Sequence, residues 1–435
     1  MANPPVRGKD DKRRERADQA STPAPERKKG GGKTRPAESG VAPKSPGKKI
    51  IDKSDTKKKG RKRTSGKSPN KDIIPKSRKR SPIRIGGRTI PPGTKSEIHL
   101  KVSEHYTAQK VDIPVTVIRG RRAGPRLFLT AAVHGDEVNG VQIIREVIDQ
   151  IEAETIRGTI IAAPVVNRFG FVSHSRYMPD RRDLNRVFPG DPKGNTSQRY
   201  AHNVFKHIIN PCDYGIDLHT AGYQRHNLPQ VRGDMSNDEV RRLAKAFGAE
   251  VILDKRGAKG TLRQVATDHG VPTIIYEAGE TFRFQRDVIS QGVTGILNVM
   301  RELNMLAGEP VRPRYQVITK TSAWVRTDHG GLMETFVQAG SVVHKGELIG
   351  IITNPFGQER GQILAPFTGI VVGVTLLPMV NPGAPICHMV KLKKTLRTVR
   401  EHVVPESVPI EGEVPFPGFT PTRAPGEPEE EEIEG

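Results

Sequence analysis

The stretch that decides the fold is RLFLTAAVHGDE, residues 126–137, in which an apolar run leads directly into the tetrapeptide HGDE. Residues 126–133 are a short apolar run of the kind that predicts a buried β-strand. Residues 137–152 repeat their apolar positions at helical spacing. A buried strand that leads into a helix is typical of a parallel sheet whose faces are covered by helices.

The same alternation continues to both sides of this stretch. Further strands are predicted at 112–118, 158–166, 214–218, 250–254 and 272–278, and helices at 196–209, 236–247, 261–269 and 286–306. The pattern predicts an α/β fold for residues 96–308, with a mixed, mostly parallel sheet and helices on both faces. Residues 165–195 are a long segment with little regular pattern, and long loops in compact domains tend to be functional.

The sequence pattern changes after the predicted linker GEPVRP, residues 308–313. Short apolar runs split by Gly, Pro and Asn predict a small all-β domain at residues 314–394. This region resembles the barrel-sandwich fold of lipoyl and biotinyl carrier domains. Its corresponding turn reads NPFGQER and has no lysine to modify, so the resemblance supports the architecture and argues against a carrier role.

The two ends of the chain carry opposite charge. Residues 1–100 hold 30 Lys and Arg against 10 Asp and Glu, whereas residues 401–435 hold 10 Glu against one Arg. Residues 1–95 are predicted to be a disordered basic tail, because a segment without aromatic residues buries too little apolar surface to offset its ordering entropy. Such a tail would bind polyanions non-specifically. Residues 395–435 are predicted to be an acidic tail rich in Pro and Glu.

Two features of composition exclude whole classes of protein. Cys212 and Cys387 are the only cysteines, too few for a disulfide framework or a thiolate metal site. No apolar run approaches the ~18 residues of a membrane span, and no apolar signal segment follows Met1. We therefore expect a cytoplasmic protein without a membrane partner.

Two predicted strands end in potential metal ligands. His134 and Glu137 follow the run 126–133, and His219 ends the run IDLH. Ligands of α/β proteins bind where strands end at their carboxyl side. Two imidazoles and one carboxylate are a common catalytic zinc set, in which the fourth position is left for water. Either histidine alone could instead be a surface or backbone-bonded residue.

Two further motifs carry charged residues that could lie near these strand ends. RYMPDRRDLNRVFPG, residues 176–190, offers several guanidinium groups, which bind carboxylates bidentately, and an Asn beside them. In YEAG, Glu277 ends another apolar run, where a carboxylate can take a proton from water.

The order HGDE, DLNR, DLHT and YEAG resembles the succinylglutamate desuccinylase/aspartoacylase family, a branch of the zinc carboxypeptidase superfamily, over about residues 96–393. The resemblance implies that His134, Glu137 and His219 bind one Zn2+ per chain and that Asp183 orients His134. It also implies that Asn185 and Arg186 bind a substrate carboxylate and that Glu277 is the general base and acid. An arginine upstream of DLNR would polarise the scissile carbonyl, which leaves Arg176, our choice, and Arg182.

The expected function is zinc-dependent amidohydrolysis, which removes an acyl group from an N-acylated amino acid or a related small amide. Two alternatives use the same sequence differently: a metallocarboxypeptidase acting on peptides, and a polyanion- or nucleic-acid-binding protein that acts through residues 1–95. A non-catalytic binding module is disfavoured, because every ligand and base position is filled. The acyl group, the amine and the oligomeric state stay open.

Overall fold

The computed structural model describes residues 82–392. In the first part of this range the strands are β1 (Arg84–Ile85), β2 (Arg88–Thr89), β3 (Thr94–Glu104), β4 (Lys110–Arg119), β5 (Arg122–Ala131), β6 (Arg157–Ala163), β7 (Tyr214–His219), β8 (Arg225–Gly233), β9 (Val251–Asp254) and β10 (Thr273–Gly279). The helices are α1 (Asn139–Gln150), α2 (Arg168–Val172), α3 (Thr196–Val204), α4 (Asp238–Phe247), α5 (Leu262–Asp268) and α6 (Arg286–Glu302). A 3-10 turn forms at Leu184–Arg186 and a π-helical turn at Phe205–Ile209.

The remaining strands belong to the C-terminal β-rich region. They are β11 (Val317–Thr319), β12 (Ser322–Arg326), β13 (Gly331–Thr335), β14 (Val342–Val343), β15 (Leu348–Thr353), β16 (Glu359–Leu364), β17 (Gly369–Thr375), β18 (Met379–Val380) and β19 (Pro385–Lys391).

The main sheet is mixed, as the sequence predicted. Strands β10, β7, β5 and β6 lie side by side and run parallel. Strands β4 and β3 add to β6 in antiparallel fashion at one side, and β8 pairs antiparallel with β10 at the other. The parallel centre explains why these runs are apolar throughout, since both of their faces are covered.

Helices cover both faces of the sheet, which confirms the predicted layers. Leu127 and Leu129 of β5 point into a core shared with α1, α4 and α6. Phe128 points to the opposite core, which α3 and α5 close. Because side chains alternate along a strand, one apolar run of β5 supplies both cores.

The predicted end of the basic tail at residue 95 is wrong for residues 82–95. They form β1, β2 and the start of β3, and Ile83, Ile85 and Ile90 are buried in the core below α3. The charge of the preceding residues dominates the composition and conceals this short apolar segment. The rest of the predicted basic tail and all of the predicted acidic tail lie outside the described residues.

Apart from β11, which pairs in parallel with β9, the strands of the β-rich region pair antiparallel, and the region is not detached from the α/β part. Strand β17 pairs with β8, β19 pairs with β17, and β12 pairs with β19, so one sheet runs without a break from β3 to β12. Strand β11, just past the predicted linker, pairs with β9. A second sheet of β16, β15, β13 and β18 packs against this extension around the buried residues Ile349, Ile352 and Ile386.

Within residues 82–392, no helix is long and apolar enough to cross a membrane. Cys212 and Cys387 are both buried and unbridged.

Candidate active site

The predicted motifs meet at one edge of the sheet because their strands are neighbours. His219 is the last residue of β7 and pairs in register with Glu277 of β10. On the other side of β7 lies β5, and its chain continues through His134 to Glu137 before α1 begins. Three carboxyl strand ends thus bring together residues from widely separated parts of the chain.

Glycine is required within HGDE. A Cβ on Gly135 would lie 1.9 Å from the carbonyl carbon of Gly170, and the Gly135 amide donates to the Ser175 carbonyl at 3.1 Å. The turn after β5 therefore packs backbone against backbone on the loop that carries Arg176. This contact joins the residue after His134 to the residue before Arg176.

His134, Glu137 and His219 form a compact buried cluster. One donor atom from each lies within 4.8 Å of the others, and all three side chains are at most 4% exposed. The Nδ1 atoms of His134 and His219 each lie 2.7 Å from one of the two oxygens of Glu137. Two nitrogens and a carboxylate facing a common point are a set that suits zinc.

A carboxylate holds the far side of each imidazole. Nε2 of His134 lies 3.2 Å from Asp183, and Nε2 of His219 lies 2.8 Å from Asp217. When Nε2–H donates to these acids, Nδ1 keeps its lone pair towards Glu137, which is the tautomer that a metal ligand needs. Asp217 is itself fixed by the Thr130 hydroxyl at 2.7 Å. The residues therefore fit a zinc ion.

The charges of the cluster are strongly coupled. Burial opposes ionisation of Glu137, but attraction and hydrogen bonds from His134 and His219 hold the pKa of its carboxyl far below the ordinary value. Burial likewise opposes the charge on His219, yet Asp217 and Glu137 raise the pKa of its imidazole well above 6.5. The two imidazoles thus keep the buried Glu137 carboxylate ionised.

Of the two candidate arginines, only Arg176 lies at this cluster. Its guanidinium donates to Glu137 at 3.1 Å and to Asp183 at 3.0 Å. Arg182 is 56% exposed in its side chain, and its Nε is 3.7 Å from Asp180, away from the histidines. The geometry therefore favours Arg176 as the residue that would meet a carbonyl oxygen.

Asn185 and Arg186 lie on the 3-10 turn that begins after Asp183. The Asn185 amide donates to Asp183 at 2.8 Å, and its buried side-chain oxygen accepts from the Leu262 amide at 2.7 Å. Arg186 is exposed, with Nη1 donating to the Asn185 carbonyl at 2.7 Å. Asn185 is thereby docked on the start of α5, while the Arg186 side chain reaches outward.

Sequence reasoning missed three residues around the site. Asn227 donates to one oxygen of Glu277 at 3.1 Å, and Arg232 lies 3.3 Å from the other. Both lie on β8, which was not predicted. Asp217 is the third, and its spacing of two from His219 on β7 is the signal that places both side chains on the same face of the strand.

Known proteins share sequence and fold with this chain. Residues 123–303, which include every predicted site residue, match the family model of the succinylglutamate desuccinylase/aspartoacylase catalytic domain. The match assigns residues 123–303 to the succinylglutamate desuccinylase/aspartoacylase catalytic domain.

Members of this family resemble the chain in sequence and structure. An N-alpha-acetyl-L-2,4-diaminobutyric acid deacetylase from Halomonas elongata is 28% identical over 276 residues, which cover 59% of this chain and 80% of that protein. A succinylglutamate desuccinylase/aspartoacylase from Rhodobacter sphaeroides has a TM-score of 0.62 at 26% identity, covering 69% of this chain and 95% of its own. A product-bound ectoine utilization protein from Ruegeria pomeroyi has a TM-score of 0.63 at 25% identity, covering 70% and 98%.

Proposed function

We propose that this protein is a zinc-dependent amidohydrolase that removes the acyl group from an N-acylated amino acid or a related small amide. One observation carries the proposal. His134 and His219 both face Glu137, each imidazole contacts a second carboxylate, and His219 lies on the strand next to that of Glu277. The deacetylase from Halomonas elongata supports the reaction class, since its name describes removal of an acetyl group from an amino acid nitrogen.

His134, Glu137 and His219 would hold one zinc ion per chain. When bound, zinc supplies a Lewis acid and lowers the pKa of a bound water towards about 7. The protein's own contribution is to orient the ligands. Asp183 and Asp217 hold the two imidazoles from behind, and Gly135 lets the HGDE turn pack against the next loop.

Glu277 would move the proton. Its carboxylate takes a proton from the attacking water, whose oxygen bonds to the acyl carbon, and then delivers that proton to the amine nitrogen as the C–N bond breaks. The products are the free amine and a carboxylic acid. The side chain of Glu277 is 15% exposed, so it can reach a substrate while being shielded from bulk water.

Arginines would supply the positive charge that the reaction needs. Arg176 would donate to the carbonyl oxygen as negative charge develops there, and such stabilisation usually lowers the barrier to acyl transfer more than any other single interaction. Arg186, with the side-chain Nδ2 of Asn185, would bind a free carboxylate of the substrate.

The decisive experiment loads the protein with zinc and measures amine release from N-acetyl-L-2,4-diaminobutyrate, N-acetyl-L-aspartate and N-succinyl-L-glutamate. A benzoyl-blocked dipeptide serves as the carboxypeptidase substrate, and His219→Ala is the matched control for contaminating activity. We expect hydrolysis of at least one N-acyl amino acid, which is lost in the control. Preferential cleavage of the peptide would favour the carboxypeptidase alternative, and the absence of zinc from protein purified without chelator would contradict both.

A further inference from the structure

The β-rich region contacts the α/β part at the residue that holds Glu277. The end of strand β17 pairs with the start of β8, through Gly373↔Asn227, Val374↔His226 and Thr375↔Arg225. The later residues of β8 pair with β9 instead. The backbone pairing of β17 with β8 therefore covers Asn227 and its two preceding neighbours, and the Gln230 side chain adds a hydrogen bond to the Val372 carbonyl at 3.0 Å.

A bulge in β8 turns Asn227 towards Glu277. Strand β8 pairs with β10 through Gln230↔Glu277 and then Asn227↔Gly279, so three residue steps on β8 match two on β10. The extra residue places Asn227 on the same face as Gln230 and Glu277, where strict alternation would place it on the opposite face. Its Nδ2 then donates to Oε2 of Glu277 at 3.1 Å.

Only glycine at position 373 leaves room for this arrangement. A Cβ on Gly373 would lie 2.7 Å from Oδ1 of Asn227. The φ angle of Gly373 is not positive, so steric space and not backbone strain excludes a side chain here. Asn227 is 6% exposed and has little freedom to move aside.

The two oxygens of Glu277 are held by different groups of one strand. Asn227 holds Oε2, and the Arg232 guanidinium lies 3.3 Å from Oε1. Two directed contacts restrict the rotation of a carboxylate that must face first water and then an amine. A misplaced catalytic group costs up to about 10²-fold in rate.

We propose that Asn227 is a positioning residue for Glu277 and that Gly373, in the β-rich region, creates the space in which Asn227 works. The β-rich region is therefore a working part of the catalytic site, because its strand β17 fixes the general base through β8. This inference rests on the proposed role of Glu277 as the base.

The first experiment is a double-mutant cycle with Asn227→Ala, Gly373→Ala and the pair, followed by kcat, KM and zinc content. Asn227→Ala is expected to lower kcat by about tenfold to a hundredfold with KM and zinc unchanged. Gly373→Ala should lower kcat similarly alone and add little in the Asn227→Ala background, where the new methyl group has room. Thr375→Ala, two residues along the same strand and beside Arg225, is the matched control and should leave kcat unchanged.

Three outcomes would overturn the proposal: a kcat within about twofold of wild type for Asn227→Ala, an effect on KM alone, or fully additive losses in the pair. Glu277→Gln separates this failure from that of the proposed function. If Glu277→Gln turns over normally, the assigned base is wrong. If it is inactive while Asn227→Ala is not, only the positioning role fails.

A crystal structure of Gly373→Ala tests the geometry without any substrate. The distance from Asn227 Nδ2 to Glu277 Oε2 is expected to exceed about 3.5 Å, the limit of a hydrogen bond. An unchanged bond in a folded variant would overturn the proposal. If Gly373→Ala does not fold, the structure of Asn227→Ala replaces it, in which Glu277 is expected to adopt a different rotamer.

Discussion

The candidate site has two halves that are built by different physical means. The metal half consists of His134, Glu137 and His219 with the acids Asp183 and Asp217, and it holds its shape through dense, buried ion pairs. The base half consists of Glu277, Asn227, Arg232 and Gly373. It depends on strand register, one hydrogen bond, one ion pair and the absence of a side chain at Gly373. Damage to the first half should therefore appear as lost metal, and damage to the second as lost turnover with the metal retained.

The largest expected effect separates the two halves directly. Glu277→Gln keeps the size of the side chain but removes the basic oxygen, so kcat should fall by about 10²–10⁴ while zinc is retained. His134→Ala, in the other half, should lose zinc because it removes a ligand. Elemental analysis beside steady-state kinetics measures both. If Glu277→Gln also loses zinc, Glu277 is a ligand and the division into halves is wrong.

A smaller effect, on zinc affinity, is expected at Asp217, which contacts His219 on the side away from Glu137. Asp217→Asn removes the charge that holds Nε2 of His219 but keeps its shape, and loss of such a partner costs about 10–100-fold in metal affinity. Zinc affinity measured by competition with a chelator tests this. With saturating zinc, kcat should largely recover. If kcat stays low at full occupancy, Asp217 takes part in the chemistry and belongs with the base half.

Arg186 belongs to neither half, and its substitution tests whether a residue outside both halves binds the substrate carboxylate. Removal of its charge in Arg186→Ala should raise KM by about tenfold for substrates with a free carboxylate, which corresponds to one charge-assisted hydrogen bond. The amide analogues of the same substrates should be affected far less, and zinc content not at all. Equal losses for acid and amide would remove Arg186 from carboxylate binding.

The smallest effect on activity is expected at His388, next to the base half. Its ring stacks on Trp324 with centroids 4.8 Å apart, and burial, helped by Arg232 and Lys255, lowers the pKa of its imidazole to about 4. Neutral His388 therefore contributes stability that is complete above pH 6.5 and is lost as the pH falls towards 4, because the unfolded chain takes up the proton first.

The full difference in pKa corresponds to about 3 kcal/mol. His388→Phe keeps the stacked ring without a titrating group, so its free energy of unfolding should fall less between pH 6.5 and 4 than that of the wild type. Urea unfolding at several pH values measures this, with turnover at neutral pH as the control. Parallel curves for both proteins would show that His388 does not titrate in this range.

The sequence predicts those parts of the two halves that lie on or next to apolar runs. β5, β7 and β10 are apolar runs that end in or lead to His or Glu, so the strands and the candidate metal ligands could both be predicted directly. β8 could not be predicted in this way. Its residues RHNLPQVRG form no apolar run, because several of its side chains face Glu277 and the β-rich region rather than a core. β3 was not predicted although Ile98, Leu100 and Val102 alternate with polar residues, a signal that is visible in the sequence.

The amino-acid sequence by itself determined the α/β class and the candidates for metal ligands and general base, because each of these depends on residues close together in the chain or at the ends of apolar runs. Only the tertiary structure decided that Arg176 rather than Arg182 lies at the cluster, that Asp217 holds His219, and that Asn227 and Gly373 meet beside Glu277. These choices depend on strand register, on a bulge and on distances between residues up to 146 positions apart. Register and close packing are properties of neighbouring strands, and a short apolar run does not by itself identify the strand beside which it will lie.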